Sequence, residues 1–219
     1  MKKYVDVIIP VKNEVDNVEA LASRIDTALE EANIAYRMIF VDDHSTDGTK
    51  QKILELKKKY PILLLTKKGK PGKAFSILEA SRQSEAEFIA FIDADLQYPP
   101  EIIPRMLKKA DRFGVVIARR KVNEESGFRK VFSKGFQFVF AKLLYGFSYD
   151  VQSGLKLFKR DVLEHISEKD VAAWTIDIPL LDIATRLGYK IGEVDITFTK
   201  RQHGQSKVKL LKTVYEIGS

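Results

Sequence analysis

The chain has 219 residues, of which 45% are hydrophobic and 31% are charged, so it has the composition of a folded globular protein. It contains no cysteine, which excludes disulfides, thiolate metal sites and cysteine nucleophiles. The net charge of +7 fits a phosphorylated substrate, an anionic membrane surface or nucleic acid, and composition alone does not choose among them.

The first half of the chain predicts alternating strands and helices. Helical periodicity predicts an amphipathic helix at residues 15–32, a second helix at 47–60 and a third at 74–84. Short apolar runs predict buried strands at 5–9, 38–41, 62–65 and 88–92. Such units predict a mostly parallel sheet with helices on both faces and with ligands at the carboxyl ends of the strands.

The second half of the chain is less regular but remains mixed α/β. In order, it predicts a helix at 99–113, a strand at 115–118, a basic helix at about 127–145, a strand at 154–158, a helix at 176–187 and a strand at 191–199. No apolar run approaches the ~20 residues of a membrane span, and Pro10 shortens the first one. Together with the missing cysteines, this predicts a cytoplasmic protein without a membrane helix.

Two aspartates follow the fourth predicted strand. Asp93 and Asp95 lie two residues apart, and an extended backbone would project both carboxylates toward one side. Oxygen ligands at this spacing suit Mg²⁺ or Mn²⁺ held by a diphosphate, and Gln97 could add a carbonyl oxygen or bind a water ligand of the metal. The alternative is a solvated acidic turn.

Asp42 and Asp43 end another predicted strand, where one carboxylate can accept hydrogen bonds from a nucleobase or a ribose. The alternative is that Asp47 or a neighbouring hydroxyl caps the following helix, and both roles are compatible. Residues 69–73, Gly-Lys-Pro-Gly-Lys, precede the third helix. They predict a phosphate or sugar contact, although they lack the spacing of a P-loop and also fit a flexible basic loop.

Six motifs occur in the order seen in family 2 glycosyltransferases, and the chain resembles the polyprenyl-phosphate sugar synthases among them. They are VIIPVKNE (7–14), VDDHSTDGT (41–49), GKA (72–74), DADLQYPPE (93–101), SGLK (153–156) and RQHGQSK (201–207). The resemblance implies a GT-A fold and an inverting transfer of a hexose from its nucleotide diphosphate to dolichyl or undecaprenyl phosphate. Mannose from GDP-mannose is the leading expectation, and glucose from UDP-glucose is the second.

By matching positions, the resemblance also implies roles for individual residues. The metal would be held by Asp93, Asp95 and Gln97. Contacts to the donor and to the phosphates would come from Pro10, Val11, Glu14, Asp42, Asp43, Lys73, Ala94, Arg119, Arg129, Ser133, Arg201 and Lys207. Val11 departs from the aromatic residue common at its position, which leaves the stacking of the base open.

The chemistry accounts for these residue types. Cleavage of a glycosyl diphosphate builds negative charge on the leaving group, which a metal held by Asp95 and an arginine such as Arg201 would stabilise. A phosphate acceptor is already ionised, so positioning it can suffice without a strong base. If a base is used, Asp177 is the first candidate and Asp150 the second, and Asp177 equally fits a helix start.

Three other functions remain open at this point. A family 2 enzyme acting on a polysaccharide or another hydroxyl would need a definite base. A nucleotidyltransferase also uses paired carboxylates, but the segment 201–207 argues against it. A nucleotide or RNA binder has no need for Asp93 and Asp95 beside Gln97, and no RNA-binding module is visible, so we expect no nucleic-acid partner.

A polyprenyl-phosphate acceptor places the enzyme at a membrane surface. The basic stretch 129–145 carries an apolar face that includes Phe136 and Phe140, which suits an interfacial helix and equally suits packing on the sheet. We expect a catalytic domain over residues 1–207 and an amphipathic segment, 208–219, where related enzymes often continue into membrane helices. The expected location is therefore peripheral, at the cytoplasmic face of a membrane.

Overall fold

The computed structural model describes residues 4–121, 149–172 and 176–199. The strands are β1 (Tyr4–Val11), β2 (Ala35–Asp42), β3 (Ile62–Thr66), β4 (Phe88–Ile92), β5 (Val115–Arg120), β6 (Leu155–Lys159) and β7 (Ile191–Ile196). The helices are α1 (Val18–Glu31), α2 (Thr49–Leu56), α3 (Lys73–Ser81), α4 (Ile103–Phe113), α5 (Arg160–Glu164) and α6 (Asp177–Arg186), with a 3₁₀ turn at Pro100–Ile102.

The strands form one sheet in the order β3-β2-β1-β4-β6-β5-β7. β1 to β4 are mutually parallel, as the sequence predicts, and β5 is parallel to β7. β6 is antiparallel to both of its neighbours, β4 and β5. The carboxyl ends of six strands therefore lie at one edge of the sheet, and β6 contributes its amino end to that edge.

Two hydrophobic clusters fill the two faces of the sheet. Alternate residues of one strand belong to different clusters, as Phe40 and Ile39 of β2 show. α1 and α4 cover the first face, and α3 and α6 cover the second. α1 buries the apolar positions expected from its periodicity: Val18, Leu21, Ala22, Ile25, Ala28 and Leu29.

Several element boundaries differ from those predicted. The helix expected at 99–113 begins with a 3₁₀ turn, because Pro99 and Pro100 precede it. The helix expected at 47–60 covers only Thr49–Leu56. The last strand ends at Ile196 instead of residue 199, and α5 was not predicted.

The predicted basic helix at 127–145 and the segment 208–219 lie outside the described residues. Among the helices that the structure does describe, none has the length and apolar character needed to cross a bilayer.

Candidate active site

Five of the six sequence motifs meet at the edge formed by the carboxyl ends of the strands, and the sixth, residues 201–207, lies outside the described residues. β1 ends at Val11, β2 at Asp42 and β4 at Ile92, so the motif residues that follow each strand leave the sheet on the same side. β6 begins at Leu155 and brings the motif residues 153–156 to the same edge because it runs in the opposite direction. This is the edge at which open α/β sheets bind ligands.

Asp93 stands at the centre of this edge. Its Oδ1 lies 2.5 Å from Lys73 Nζ, and both side chains are partly exposed. Its backbone N–H donates to the carbonyl of Gly154 at 3.0 Å. A Cβ at Gly154 would lie 2.1 Å from Asp93 Oδ2, so a side chain at this position would clash with the carboxylate.

The charge of Asp93 also affects Lys73. Burial lowers the pKa of Lys73, but the nearby carboxylates of Asp93 and Asp177 outweigh it and hold this pKa above its usual value. Lys73 therefore stays cationic at the start of α3, where the sequence predicted a phosphate contact.

Residues 93–97, which we call the acidic turn, do not continue the extended strand. β4 ends at Ile92, residues 94 and 95 lie in a turn and Leu96 adopts a φ of 61°, so the extended backbone does not continue through Asp95. Asp95 is buried, and its Oδ1 accepts a hydrogen bond from the Gln97 N–H at 3.2 Å. The expectation of an extended geometry was therefore wrong, although the three residues remain in one compact turn.

Asp43 organises the glycine loop that leads to Lys73. Its Oδ2 accepts a hydrogen bond from the Gly72 N–H at 2.8 Å, and Gly72 has a φ of 136°. The buried Lys67 donates to the Gly72 carbonyl at 2.8 Å and to Ser76 Oγ at 3.0 Å. Burial lowers the pKa of Lys67, while the charge of Asp43 opposes that effect. Asp43 thus binds the N–H of Gly72 and Lys67 binds its carbonyl, and together they fix the glycine loop.

The amino-terminal motif lies beside Asp42 and the start of α2. Val11 is buried and its carbonyl accepts the Asp43 N–H at 2.8 Å, while Pro10 is partly exposed next to it. Asp42 Oδ1 accepts the Ser45 N–H at 3.2 Å. The Glu14 N–H donates to Thr49 Oγ1 at 2.8 Å.

Asp47 also contributes to this region, as a support of the first turn of α2. Its Oδ1 accepts the N–H of Thr49 at 3.0 Å and its Oδ2 accepts that of Val15 at 3.2 Å. Asp47 thus supports the helix start, while Gly48 occupies the N-cap position itself.

Arg120 faces the site, although the sequence prediction chose Arg119. The guanidinium of Arg120 donates two hydrogen bonds to Asp150, at 2.7 and 2.8 Å, and lies 5.5 Å from the Phe198 ring centre. Burial lowers the pKa of Arg120, but the bonds to Asp150 and the charges nearby, including that of Asp93, hold it above its usual value. Asp150, the second candidate base, is committed to this ion pair.

Arg119 points to the other side of β5, where it pairs with Asp195 at 2.6 Å and Glu193 at 3.1 Å. Adjacent residues of a strand face opposite sides, and the two arginines accordingly have different carboxylate partners. The four residues of β5 that precede Arg119 are all buried. The sequence therefore shows no alternation of apolar and polar residues that could tell which arginine faces the site. A phosphate contact from Arg119 remains a prediction.

Asp177, the first candidate base, begins α6 and is paired with a buried lysine. Its Oδ1 lies 2.5 Å from Lys156 Nζ, which also donates to the Ser153 carbonyl at 2.5 Å. The ammonium groups of Lys156 and Lys73 lie 5.5 and 5.6 Å from the ring centre of Phe91. Asp177 is thus both a helix-start residue and a neighbour of the Lys73–Asp93 pair. Lys156 belongs to the SGLK motif but was not among the predicted site residues.

Tyr98 lies beside Arg120. It is buried, its ring lies 5.1 Å from that of Phe198 in an edge-to-face arrangement, and burial raises its pKa to about 12. Ala94 is buried in the acidic turn and offers only its backbone to a ligand. The remaining predicted site residues, Arg129, Ser133, Arg201 and Lys207, lie outside the described residues.

The acidic turn fits a small divalent cation by its chemistry. Its polar side chains are two carboxylates and one carboxamide, all oxygen donors of the type that Mg²⁺ and Mn²⁺ prefer. Within 4–121, 149–172 and 176–199, no group of three or more His, Cys, Asp and Glu side chains converges on one point. Two carboxylates and one carboxamide are a donor set that suits a cation which takes further ligands from a diphosphate.

Residues 6–167 match the family model described as "Glycosyl transferase family 2", which spans the acidic turn and the SGLK motif. The chain belongs to this family. It is 33% identical, over 97% of its length, to a dolichol-phosphate mannosyltransferase of Pyrococcus furiosus, of which it spans 61%. It is 29% identical, over 98% of its length, to an undecaprenyl-phosphate 4-deoxy-4-formamido-L-arabinose transferase of Photorhabdus laumondii, of which it spans 67%.

Solved structures with the same fold include glucosyl-3-phosphoglycerate synthase of Mycobacterium tuberculosis in complex with Mn²⁺, UDP and glucosyl-3-phosphoglycerate. The TM-score is 0.73 at 18% identity, covering 99% of this chain and 75% of that one. The same enzyme in complex with Mg²⁺ and UDP gives a TM-score of 0.72 at 18% identity, over 97% and 74% of the two chains. The family membership and the GT-A fold expected from the sequence are confirmed.

Proposed function

We propose that this chain transfers a hexose from a nucleotide diphosphate sugar to a polyprenyl phosphate. The observation that carries the proposal is the meeting of Asp93, Lys73 and Arg120 at one edge of the sheet, with the acidic turn between β4 and the 3₁₀ turn. The names of both relatives specify a polyprenyl-phosphate acceptor, which supports this substrate class.

The donor binds with its diphosphate at the acidic turn. Asp93, Asp95 and Gln97 hold Mg²⁺ or Mn²⁺, which supplies positive charge to the leaving diphosphate. Lys73 adds a fixed cation beside Asp93, and the glycine loop keeps Lys73 in place through Asp43 and Lys67. The nucleoside lies toward the ends of β1 and β2, against Pro10, Val11, Glu14 and Asp42.

The transfer itself exchanges one bond for another. An oxygen of the acceptor phosphate forms a bond to the anomeric carbon while the bond from that carbon to the donor diphosphate breaks, which inverts the configuration. Arg120 and the predicted Arg201 bind the phosphates. Their positive charges reduce the repulsion between the donor diphosphate and the acceptor phosphate. No proton has to be removed from an ionised phosphate, which agrees with the commitment of Asp150 to Arg120.

A transfer assay with matched acceptors tests the proposal. Purified protein is incubated with radiolabelled GDP-mannose or UDP-glucose and with either undecaprenyl phosphate or undecaprenol, which differ only in the phosphate. We expect label to enter the lipid phase with the phosphate alone and only when Mg²⁺ or Mn²⁺ is present. Equal transfer to undecaprenol would instead identify a hydroxyl acceptor, with Asp177 as the base.

A lipid acceptor also requires the protein to reach a membrane surface, which the net charge of +7 favours. We expect the protein to sediment with vesicles that contain anionic lipid and to be released by salt, with replacement of Phe136 or Phe140 by Glu weakening the binding. Neutral vesicles are the control. Failure to sediment with anionic vesicles at low salt would contradict surface docking.

A further inference from the structure

Thr199 connects the acidic turn to the chain that leaves β7. The Thr199 N–H donates to the Gln97 carbonyl at 3.3 Å, and the Thr199 hydroxyl lies 3.2 Å from the Leu96 carbonyl and 3.3 Å from that of Gln97. In return, Gln97 Nε2 donates to the Thr199 carbonyl at 3.0 Å. These contacts join residues that are 102 or 103 positions apart in the sequence.

The acidic turn needs such support because its backbone is strained. Leu96 has a φ of 61°, in the left-handed region that residues with a Cβ rarely adopt, and its side chain is buried. A strained residue keeps its conformation only where its surroundings hold it. The hydroxyl of Thr199 donates to the Leu96 carbonyl, and Phe198 packs on Tyr98, the residue that follows Gln97.

The same contacts orient the side chain of Gln97. A carboxamide holds its nitrogen donor and its oxygen acceptor in one rigid plane, so a hydrogen bond from the nitrogen also restricts the direction of the oxygen. The nitrogen of Gln97 is committed to the Thr199 carbonyl. This bond restricts the direction of the oxygen, which is the atom that the proposed function assigns to the metal.

We infer that Thr199 is a positioning residue for the metal site, acting through Leu96 and Gln97 without touching the metal. This inference rests on the proposed function, because it takes the acidic turn to be the metal site. It also links that turn to the segment that continues, two residues later, to the predicted phosphate ligand Arg201.

The test compares two threonines that make similar bonds. Thr199→Val keeps the shape of the side chain and removes its hydroxyl, and Thr199→Ser keeps the hydroxyl. Thr185→Val is the matched control, because the Thr185 hydroxyl also donates to a backbone carbonyl, that of Leu181 at 2.8 Å within α6. Mn²⁺ affinity is measured by electron paramagnetic resonance titration in the presence of GDP or UDP, with thermal unfolding measured in parallel.

We expect Thr199→Val to weaken Mn²⁺ binding by about three- to tenfold, as loss of a supporting hydrogen bond does. Thr199→Ser should restore the affinity, and Thr185→Val should bind Mn²⁺ like the wild type despite losing a comparable bond. Thr199→Ala, which also lacks the hydroxyl, should weaken binding at least as much as Thr199→Val.

The outcomes distinguish a failure of the proposed metal site from a failure of the role inferred for Thr199. A wild-type chain that binds no Mn²⁺ with either nucleotide overturns the metal site of the proposed function and this inference with it. A wild-type chain that binds Mn²⁺ while Thr199→Val and Thr199→Ala bind it equally well overturns the inference alone. Equal weakening in Thr185→Val would also overturn it, because the effect would then reflect general stability.

Discussion

Replacement of Asp95 by Asn is expected to lower the transfer rate by at least about 100-fold, because it removes one charge from the proposed metal site. The asparagine oxygen can still accept the Gln97 N–H, which Asp95 Oδ1 accepts at 3.2 Å, so the acidic turn should keep its shape. The rate is measured at saturating donor and metal, and metal-dependent nucleotide binding is measured by calorimetry.

A matched control removes a carboxylate elsewhere. Glu31 is exposed at the last residue of α1, and Glu31→Gln should leave both the rate and nucleotide binding unchanged. Normal metal-stimulated turnover in Asp95→Asn would show that Asp95 is not a metal ligand. A thermal midpoint close to that of the wild type would show that the loss of rate does not come from unfolding.

Replacement of Asp177 by Ala is expected to destabilise the protein far more than replacement of Lys156 by Met. Lys156 has no exposed side-chain surface, whereas that of Asp177 is 21% exposed. Removing Asp177 leaves a buried ammonium without its counter-ion, which costs about 3–5 kcal/mol and lowers the thermal midpoint by about 6–20 °C. Removing Lys156 leaves a carboxylate that keeps contact with water and lies at the start of α6.

The pH dependence of Asp177→Ala provides a second measurement. Burial already lowers the pKa of Lys156 and the charge of Asp177 opposes that effect, so this pKa should fall further in the variant. Between the lowered pKa of the folded state and the usual pKa of the unfolded state, the unfolded chain binds more protons, and stability therefore rises with pH. The deficit in thermal midpoint should shrink from pH 7 to pH 10; a deficit that grows would contradict the pairing.

Much of the fold follows from local patterns in the sequence. The parallel half of the sheet was predictable because each apolar run is followed by a turn and an amphipathic helix, and β1 to β4 formed as expected. The antiparallel direction of β6 was not predictable, because the apolar residues of Leu155–Lys159 carry no information about direction. That direction depends on which neighbours the strand meets, which is a long-range property of the chain.

The candidate site was predictable where a motif follows a strand. Asp43, Lys73 and Asp93 lie together at the expected edge. Lys156 was not recognised because a lysine within a strand usually indicates an exposed position, and only the pairing of β6 with β4 places it beside Phe91. The contact between Thr199 and Gln97 depends on how β7 meets the sheet, which no local pattern encodes.

The order of the strands has a consequence for the way the chain assembles during its synthesis. β5 lies between β6 and β7, both of which are synthesised after it, whereas β1 to β4 pair directly with one another. Because β1 to β4 leave the ribosome before β5 to β7, their pairing is available first, and we expect the amino-terminal half of the sheet to form before the rest. Thr199 emerges 102 residues after Gln97, so the acidic turn would acquire its final shape only when the last described strand has joined the sheet.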